Sequence, residues 1–596
     1  MSLIFYPFAA ARRGLRRQRP TSTTAGRSGY TLIMGKETAG RGRLSAAWHD
    51  IKKYRRTYTL TAIASFGGML FGWDTGLIGG VLTMEAFQHS FALDPDSKDY
   101  DNLSGNIVSV LQGGCFFGAA ASFWLSDKVG RKWSLILADI IFLIGSVIQT
   151  CCALGTTSLS QLYVGRFIGG FGVGLISAVV PTYIGENANK EIRGRCVGTM
   201  QLFNVTGIMI AYFVNYGISK DRKDPTDALT WRIPFALQML PGVFLLVGMF
   251  FQNESPRWLV EKDRLEEAKK ALAFVRAKDI NDPDVEFEYD QIVADFRGRE
   301  KLSLWEQAKA AVCESRQTLY RTSLAIMLMF WQQWTGTNSI NYYSPQIFKN
   351  IGLGSSDATL FATGIYGAVK VFFTGLGLAV GVEQAGRKWS LIVGSLGQAF
   401  AMYYIGCNQA VHPLKDGETA SLTGNNVFAI ICVYLFVVFY SFGWGPIAFV
   451  LCSESSPNHV RSFVMAASLM TQWLFNFVIA KLTPIMLENI TYGTYLLFGT
   501  CCILMMLYAI FLVPETKNVP LESMHLLFEG NLVAGCLKDL FPRTSRARWL
   551  KDHDRADPAD EVVVAAAAKK QPESTILHEE EARDSLGGES SRTASP

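Results

Sequence analysis

The chain predicts an all-α membrane protein of twelve transmembrane helices arranged as two six-helix halves. Three observations carry that expectation. Of 596 residues, 49% are hydrophobic and 18% charged, against about 25% charged in ordinary soluble domains. Residues 235–251, 427–451 and 496–513 carry no charge, and 135–154 carries only Asp139; about 20 apolar residues suffice to cross a bilayer core. Finally, Gly-Arg-Lys-Trp-Ser-Leu occurs at 130–135 and again at 386–391, 256 residues on (386 − 130). A basic hexapeptide between two apolar runs, repeated about half a chain later, predicts duplicated membrane halves.

Taken in order, the first span begins near Tyr58, is rich in small residues and holds Asp74. The second begins near Ser104 and ends at Asp127 and Lys128; the third, near Trp133, opens on the first hexapeptide. The fourth, near Ser160, holds Arg166 and ends at Glu186, seven residues before Arg193. The fifth begins near Cys196, and the sixth, near Ile233, closes on Glu254-Ser255-Pro256-Arg257. In the second half, spans begin near Thr322, Ala358, Trp389, Val427, Val464 and Thr491. The ninth opens on the second hexapeptide. The tenth ends at Glu454, seven residues before Arg461, and the twelfth closes on Pro514-Glu515-Thr516-Lys517. Three motifs in the same order in both halves point to duplication.

This divides the chain into an N-terminal tail (1–57), a first half (58–259), a charged central loop (260–320), a second half (321–514) and a C-terminal tail (515–596). Both tails read as disordered, although Arg12, Arg13, Arg16, Arg17 and Arg19 give the first a transit-peptide-like composition. Lys128, Arg131, Lys132, Lys190, Arg193, Arg195, Arg387, Lys388 and Arg461 fall on one set of loops. The positive-inside rule then puts both termini in the cytoplasm, with Lys220, Arg222 and Lys223 as exceptions on the other side. A net charge of +5 fits basic cytoplasmic loops and is no argument for nucleic acid. The eleven cysteines show neither metal spacing nor a disulfide framework. Asn102-Leu103-Ser104 and Asn489-Ile490-Thr491 are glycosylation sequons on the outer side, both close to the membrane. No nucleophile–base pair, phosphate loop or metal cluster argues for an enzyme or a cofactor.

Residues 57–522 resemble the sugar porter family of the major facilitator superfamily. The resemblance rests on Gly67-Gly68-Met69-Leu70-Phe71-Gly72-Trp73-Asp74-Thr75-Gly76, on Gly165-Arg166, and on Pro181-Thr182-Tyr183-Ile184-Gly185-Glu186. It continues in Gln332-Gln333-Trp334-Thr335-Gly336-Thr337-Asn338 and in Gly445-Pro446 ahead of Glu454. Thr337-Asn338-Ser339-Ile340-Asn341-Tyr342-Tyr343-Ser344-Pro345 makes it most similar to fungal quinate and sugar permeases. The resemblance implies a major facilitator fold and alternating access to a central site.

An acid inside a span is expensive, so Asp74 is a candidate for proton coupling. The resemblance implies that it faces Arg166; the bland alternative is a permanent ion pair. It also implies substrate contacts from Gln201, Gln332, Gln333, Asn338, Trp473 and Asn476. Amides suit polyols because they both donate and accept. Phe449 stands where the family usually has Trp. Asp127, Arg131, Glu186 and Arg193, with Glu383, Arg387, Glu454 and Arg461, are implied to form a cytoplasmic charge gate that bridges the halves while the site opens outward and separates when it opens inward. Lys128 replaces the family's usual Arg.

Lys370 falls mid-span, where an ammonium needs a partner or a wet cavity. It is either a counter-charge for a carboxylated substrate or paired within the protein. Lys481, near a span end, reads as an interfacial anchor. The expectation is a monomeric, plasma-membrane symporter importing a monosaccharide, quinate or sugar acid with a proton, with no cofactor or metal. The rivals are a passive facilitator and a sugar-sensing receptor.

Overall fold

A computed structural model describes residues 52–541, except 96, 98, 154–157, 190, 298–302, 379–385, 413–422, 458, 518 and 520–523. The chain divides into two units, Met1–Arg55 and Arg56–Pro596, and the helical body is the second. Most of the N-terminal tail, the end of the C-terminal tail and Glu383 lie outside the described residues.

Among the described residues, ten helices are long and apolar enough to cross a membrane: Tyr100–Val129, Arg131–Thr150, Ser160–Asn187, Arg193–Asp221, Leu229–Phe250, Ser356–Leu376, Arg387–Val411, Gly424–Ser455, Arg461–Asn489 and Gly493–Leu512. Two more complete the set of twelve in two six-helix halves. The first span, Arg55–Val81, is diluted by Gly, Ser, Thr and Asp74. The seventh, expected as one run from Thr322, is broken into Arg316–Trp334 and Thr337–Ile351. The break falls at Gly336, which has φ +82°. The tenth breaks too, at Gly443, into Gly424–Phe442 and Trp444–Ser455. Broken helices leave backbone polar groups unpaired, which a membrane tolerates only inside the protein or beside a wet cavity.

The burial pattern is that of a bundle in lipid. Leu137, Ile140, Ile144 and Val147 of the third span are exposed at helical spacing, as are Trp389, Val393, Leu396 and Phe400 of the ninth. Asp74, Arg166, Gln332, Gln333 and Lys370 are buried instead. The halves meet along two long seams, the second span against the eleventh and the fifth against the eighth.

Each hexapeptide repeat begins a span in the same way. Gly130 and Gly386 precede the third and ninth spans with φ +100° and +84°. A Cβ on them would lie 2.3 Å from Glu254 Oε2 and 2.6 Å from Glu515 Oε2, respectively. Only glycine allows that backbone and that approach. The carboxylates in turn satisfy open N–H groups at the helix start: Glu254 Oε1 accepts from Arg131 N at 2.9 Å and Lys132 N at 3.0 Å, and Glu515 accepts from Arg387 N and Lys388 N.

The central loop is a helical layer: Pro256–Glu261, Leu265–Arg276, Pro283–Arg297 and Leu304–Cys313. Trp258, Leu259, Leu272, Val285 and Ile292 form a small core of its own. The expectation of a disordered C-terminal tail needs correcting. Met524–Phe528 and Leu532–Lys538 are helical, and Met524, Leu527 and Phe528 are buried in the core of the second half. Lys388 Nζ donates to the Cys536 carbonyl at 2.8 Å, and Trp389 Nε1 to that of Leu540 at 3.1 Å. Three buried apolar side chains in this short stretch, Met524, Leu527 and Phe528, outweigh the polar composition averaged over the whole tail.

Candidate functional site

Asp74 and Arg166 face each other between the first and fourth spans, both buried. Arg166 Nη1 donates to Asp74 Oδ1 and Nη2 to Oδ2, each at 3.4 Å. A tight charge-assisted pair is shorter, about 2.7–2.9 Å. Arg166 Nε is buried without a partner. The pair is therefore a loose fork in a dry setting, where adding a proton to the carboxylate would remove most of what holds the guanidinium.

The seventh span supplies a ladder of amides. Gln332 Nε2 donates to the carbonyls of Trp444 and Gly445 at 3.0 and 3.1 Å, bracing the seventh span against the break in the tenth. Gln333 Nε2 donates to Gln332 Oε1 at 3.3 Å, Asn338 Nδ2 to Gln333 Oε1 at 2.6 Å, and Asn341 Nδ2 to Asn338 Oδ1 at 3.1 Å. Lys370 Nζ ends the ladder by donating to Asn341 Oδ1 at 2.9 Å. The Tyr366 hydroxyl donates to the same oxygen at 3.2 Å, and the Tyr212 hydroxyl to the Asn341 carbonyl at 2.7 Å. The helix break at Gly336 is what lets Gln333 and Asn338, five residues apart, bond directly.

Three further predicted substrate ligands are in different states. Gln201 is half-buried and makes no hydrogen bond among the described residues. Asn476 is buried; its Oδ1 lies 3.3 Å from the Tyr342 hydroxyl while its Nδ2 has no partner. Trp473 is committed elsewhere: its indole N–H donates to Ser177 Oγ at 3.1 Å across the seam between the halves, and its ring meets Phe71 edge-on at 4.9 Å. Phe449 is half-buried against the apolar core of the second half. The Tyr342 hydroxyl also lies 2.8 Å from the Gln112 side-chain amide, linking the seventh span to the second.

The gate residues fall into two similar clusters. Arg131 reaches Glu186 at 3.1 Å and Asp127 at 3.5 Å, and Ser255 Oγ donates to Glu186 Oε2. Arg387 reaches Glu454 at 3.0 Å, and Thr516 Oγ1 donates to Glu454 Oε2 at 2.6 Å. These pairs stay within their own halves. Arg193 is half-buried, and its Nε makes no hydrogen bond among the described residues. Burial pushes the Glu254 carboxyl above its usual range, and the N–H donors of Lys132, Ser255 and Arg131 pull it partly back.

The opposite face is drawn together. A Cβ on Gly79 of the first span would sit 2.4 Å from the Tyr342 carbonyl oxygen of the seventh. Lys223 of the first half lies 3.9 Å from Asp357 of the second. Lys481, expected to anchor at the interface, bonds across the seam to Asn102 and, at 2.6 Å, to Asn106 Oδ1.

Asn341, Tyr342, Tyr366, Tyr212 and Gln112 had no role in the sequence reading. Asn341 stands one helical turn after Asn338, and Lys370 needed an oxygen; those two signals could have found it. Gln112 and the tyrosines gave none, because a lone polar group in a span is commonly a helix–helix contact.

The family model described as "Sugar (and other) transporter" matches residues 60–528. The chain belongs to this family of sugar transporters. Among its relatives, a "Probable quinate permease" of Aspergillus fumigatus is 37% identical over 479 residues, 80% of this chain and 88% of that one. The "Quinate permease" of Emericella nidulans is 36% identical over 509 residues, 85% of this chain and 93% of that one. Among solved structures, the proton:xylose symporter XylE bound to 6-bromo-6-deoxy-D-glucose matches with a TM-score of 0.65 at 28% identity, covering 80% of this chain and 100% of that chain. A partially occluded inward-open form of XylE from E. coli matches with a TM-score of 0.64 at 27% identity, over 78% and 99% of the two chains. This sugar transporter is thus a multi-pass membrane protein of the major facilitator superfamily, and no enzyme.

Proposed function

We propose that this transporter imports a hydroxylated substrate, a monosaccharide, quinate or a sugar acid, together with a proton, by alternating access. The buried Asp74–Arg166 pair carries the reading. A carboxylate whose only charged partner is a loosely held guanidinium can take a proton, release the arginine and let the first and fourth spans move apart. The amide ladder, the Gln201 side chain and the open Nδ2 of Asn476 offer donors and acceptors to adjacent hydroxyls. Relatives named as quinate permeases and a likeness to a proton:xylose symporter support the same reading.

In this proposal the two halves, 58–259 and 321–514, rock about the site, with 260–320 linking them. The basic loops support a cytoplasmic side for the repeats and both termini, and in this reading the transporter works as a monomer in the plasma membrane. Contacts between Gly79 and Tyr342 support a state closed to the outside. Gate pairs kept within each half support one open towards the cytoplasm. Bridging by Arg193, Arg461 and their partner acids belongs to the opposite state.

The test is uptake of labelled glucose, quinate and galacturonate into proteoliposomes, with and without an imposed proton gradient. Wild-type protein should accumulate a substrate above its outside concentration only with the gradient. Asp74→Asn should abolish accumulation and spare exchange. Uptake that never exceeds the outside level would establish the passive facilitator instead, and no uptake at all would favour the receptor.

A further inference from the structure

We propose that Lys370 is the receptor for a substrate carboxylate, which makes the protein selective for hydroxylated acids over neutral sugars of similar size. This deepens the transport reading and depends on it.

Lys370 lies in the middle of the eighth span, 3% exposed. Its Nζ donates to Asn341 Oδ1 at 2.9 Å and sits 5.9 Å from the Tyr366 ring centroid and 5.6 Å from that of Tyr440. Its recorded partners are one neutral oxygen and two ring faces; no Asp or Glu among the described residues pairs with it. The other buried cations differ. Arg166 has Asp74 and Arg131 has Glu186. Lys388 fills all three of its donors with the carbonyls of Ile510, Val513 and Cys536. An ammonium carries three donors, so Lys370 keeps two beyond its bond to Asn341, with no counter-charge among the described residues.

Isolated charges in a membrane interior are costly and persist where they are used. The two tyrosine faces lower that cost while the site is empty. They cannot replace an anion, because ring attraction is weaker than a charge-assisted hydrogen bond. The position of Lys370 says where the anion would come from. It stands at one end of the Gln332–Gln333–Asn338–Asn341 ladder, facing the oxygen that closes it. A ring bearing hydroxyls on one side and a carboxylate on the other matches this sequence of groups. Its hydroxyls meet the amides, and its carboxylate takes the two open donors of Lys370. A neutral sugar of the same size satisfies the amides and leaves the ammonium uncompensated, which is discrimination by an unpaired buried charge.

The test uses purified full-length protein in proteoliposomes with labelled quinate as probe, competed by unlabelled quinate, its methyl ester and glucose. In wild type, quinate should outcompete the ester by at least about tenfold. Lys370→Gln should erase that preference, and Lys370→Arg should restore it in part; the restored variant excludes a folding defect as the cause. A Lys370→Gln protein that still prefers quinate over its ester would overturn the proposal. So would a wild type that accumulates glucose and ignores quinate, a result that leaves the transport reading standing. Protein that accumulates neither substrate class refutes the transport reading and the proposal with it.

Discussion

Gly79 and Tyr342 touch across the two halves so closely that a Cβ on the glycine would lie 2.4 Å from the tyrosine's carbonyl oxygen. Backbone at such a distance has no flexible side-chain end to yield. Gly79→Val should therefore keep the face away from the basic loops open. The expected outcome is loss of transport with substrate binding retained, measured by equilibrium binding to detergent-purified protein beside uptake in proteoliposomes. Normal uptake by the variant would show that this contact does not form during the cycle.

Asp74→Asn should also cost stability. It leaves the Arg166 guanidinium buried without its counter-charge, and breaking a buried pair typically costs about 3–5 kcal/mol. A double variant, Asp74→Asn with Arg166→Gln, removes both charges and should recover most of the loss in thermal unfolding while still failing to accumulate substrate. If the double variant melts no higher than the single one, the pair is not what holds these spans together.

Glu254 allows a test of the helix-start carboxylates. Glu254→Ala strands the N–H groups of Arg131, Lys132 and Ser255, an expected cost of about 1–3 kcal/mol. Glu254→Gln should cost far less. The folded carboxyl holds its proton more tightly than the ordinary 4.5 of a glutamate. Its contribution to stability is thus fully present below pH 4.5 and is lost as pH rises through the raised value. Melting temperature followed from pH 4 upward should fall in wild type relative to the Gln variant. Parallel curves for the two proteins would contradict the burial argument.

The sequons should behave differently. Asn102 is held by Lys481, and Ser104 of the same sequon is buried. Asn489 and Thr491 are both exposed. Any glycan should sit on Asn489, so Asn489→Gln should abolish an endoglycosidase-sensitive mobility shift and Asn102→Gln should leave it.

The spans, the duplicated motifs and the Asp74–Arg166 pairing were legible because each is written in local composition or in motif residues that keep their roles. The break in the seventh span was harder to see. Thr335-Gly336 is a short interruption in an otherwise helix-compatible run, and the need for glycine there, where a Cβ would lie 2.8 Å from Phe498 Cγ, comes from a residue far along the chain. The partner of Lys370 was harder to pick out for a related reason. Asn341 lies 29 residues away, and only the tertiary arrangement brings the seventh and eighth spans together. For the gate charges, the sequence supplies candidate residues but not their pairing. Spacing along one chain does not distinguish a pair made within a half from one made across the seam.

The uncompensated ammonium of Lys370 has an electrical consequence. An acid that enters as its anion beside one proton moves no net charge across the membrane. Each turnover would then be silent to voltage, and the pH difference alone would set how far the acid can be concentrated. A depolarised cell in acidic surroundings would feed on such an acid as well as a polarised one, whereas a neutral sugar carried by the same proton would draw on the membrane potential.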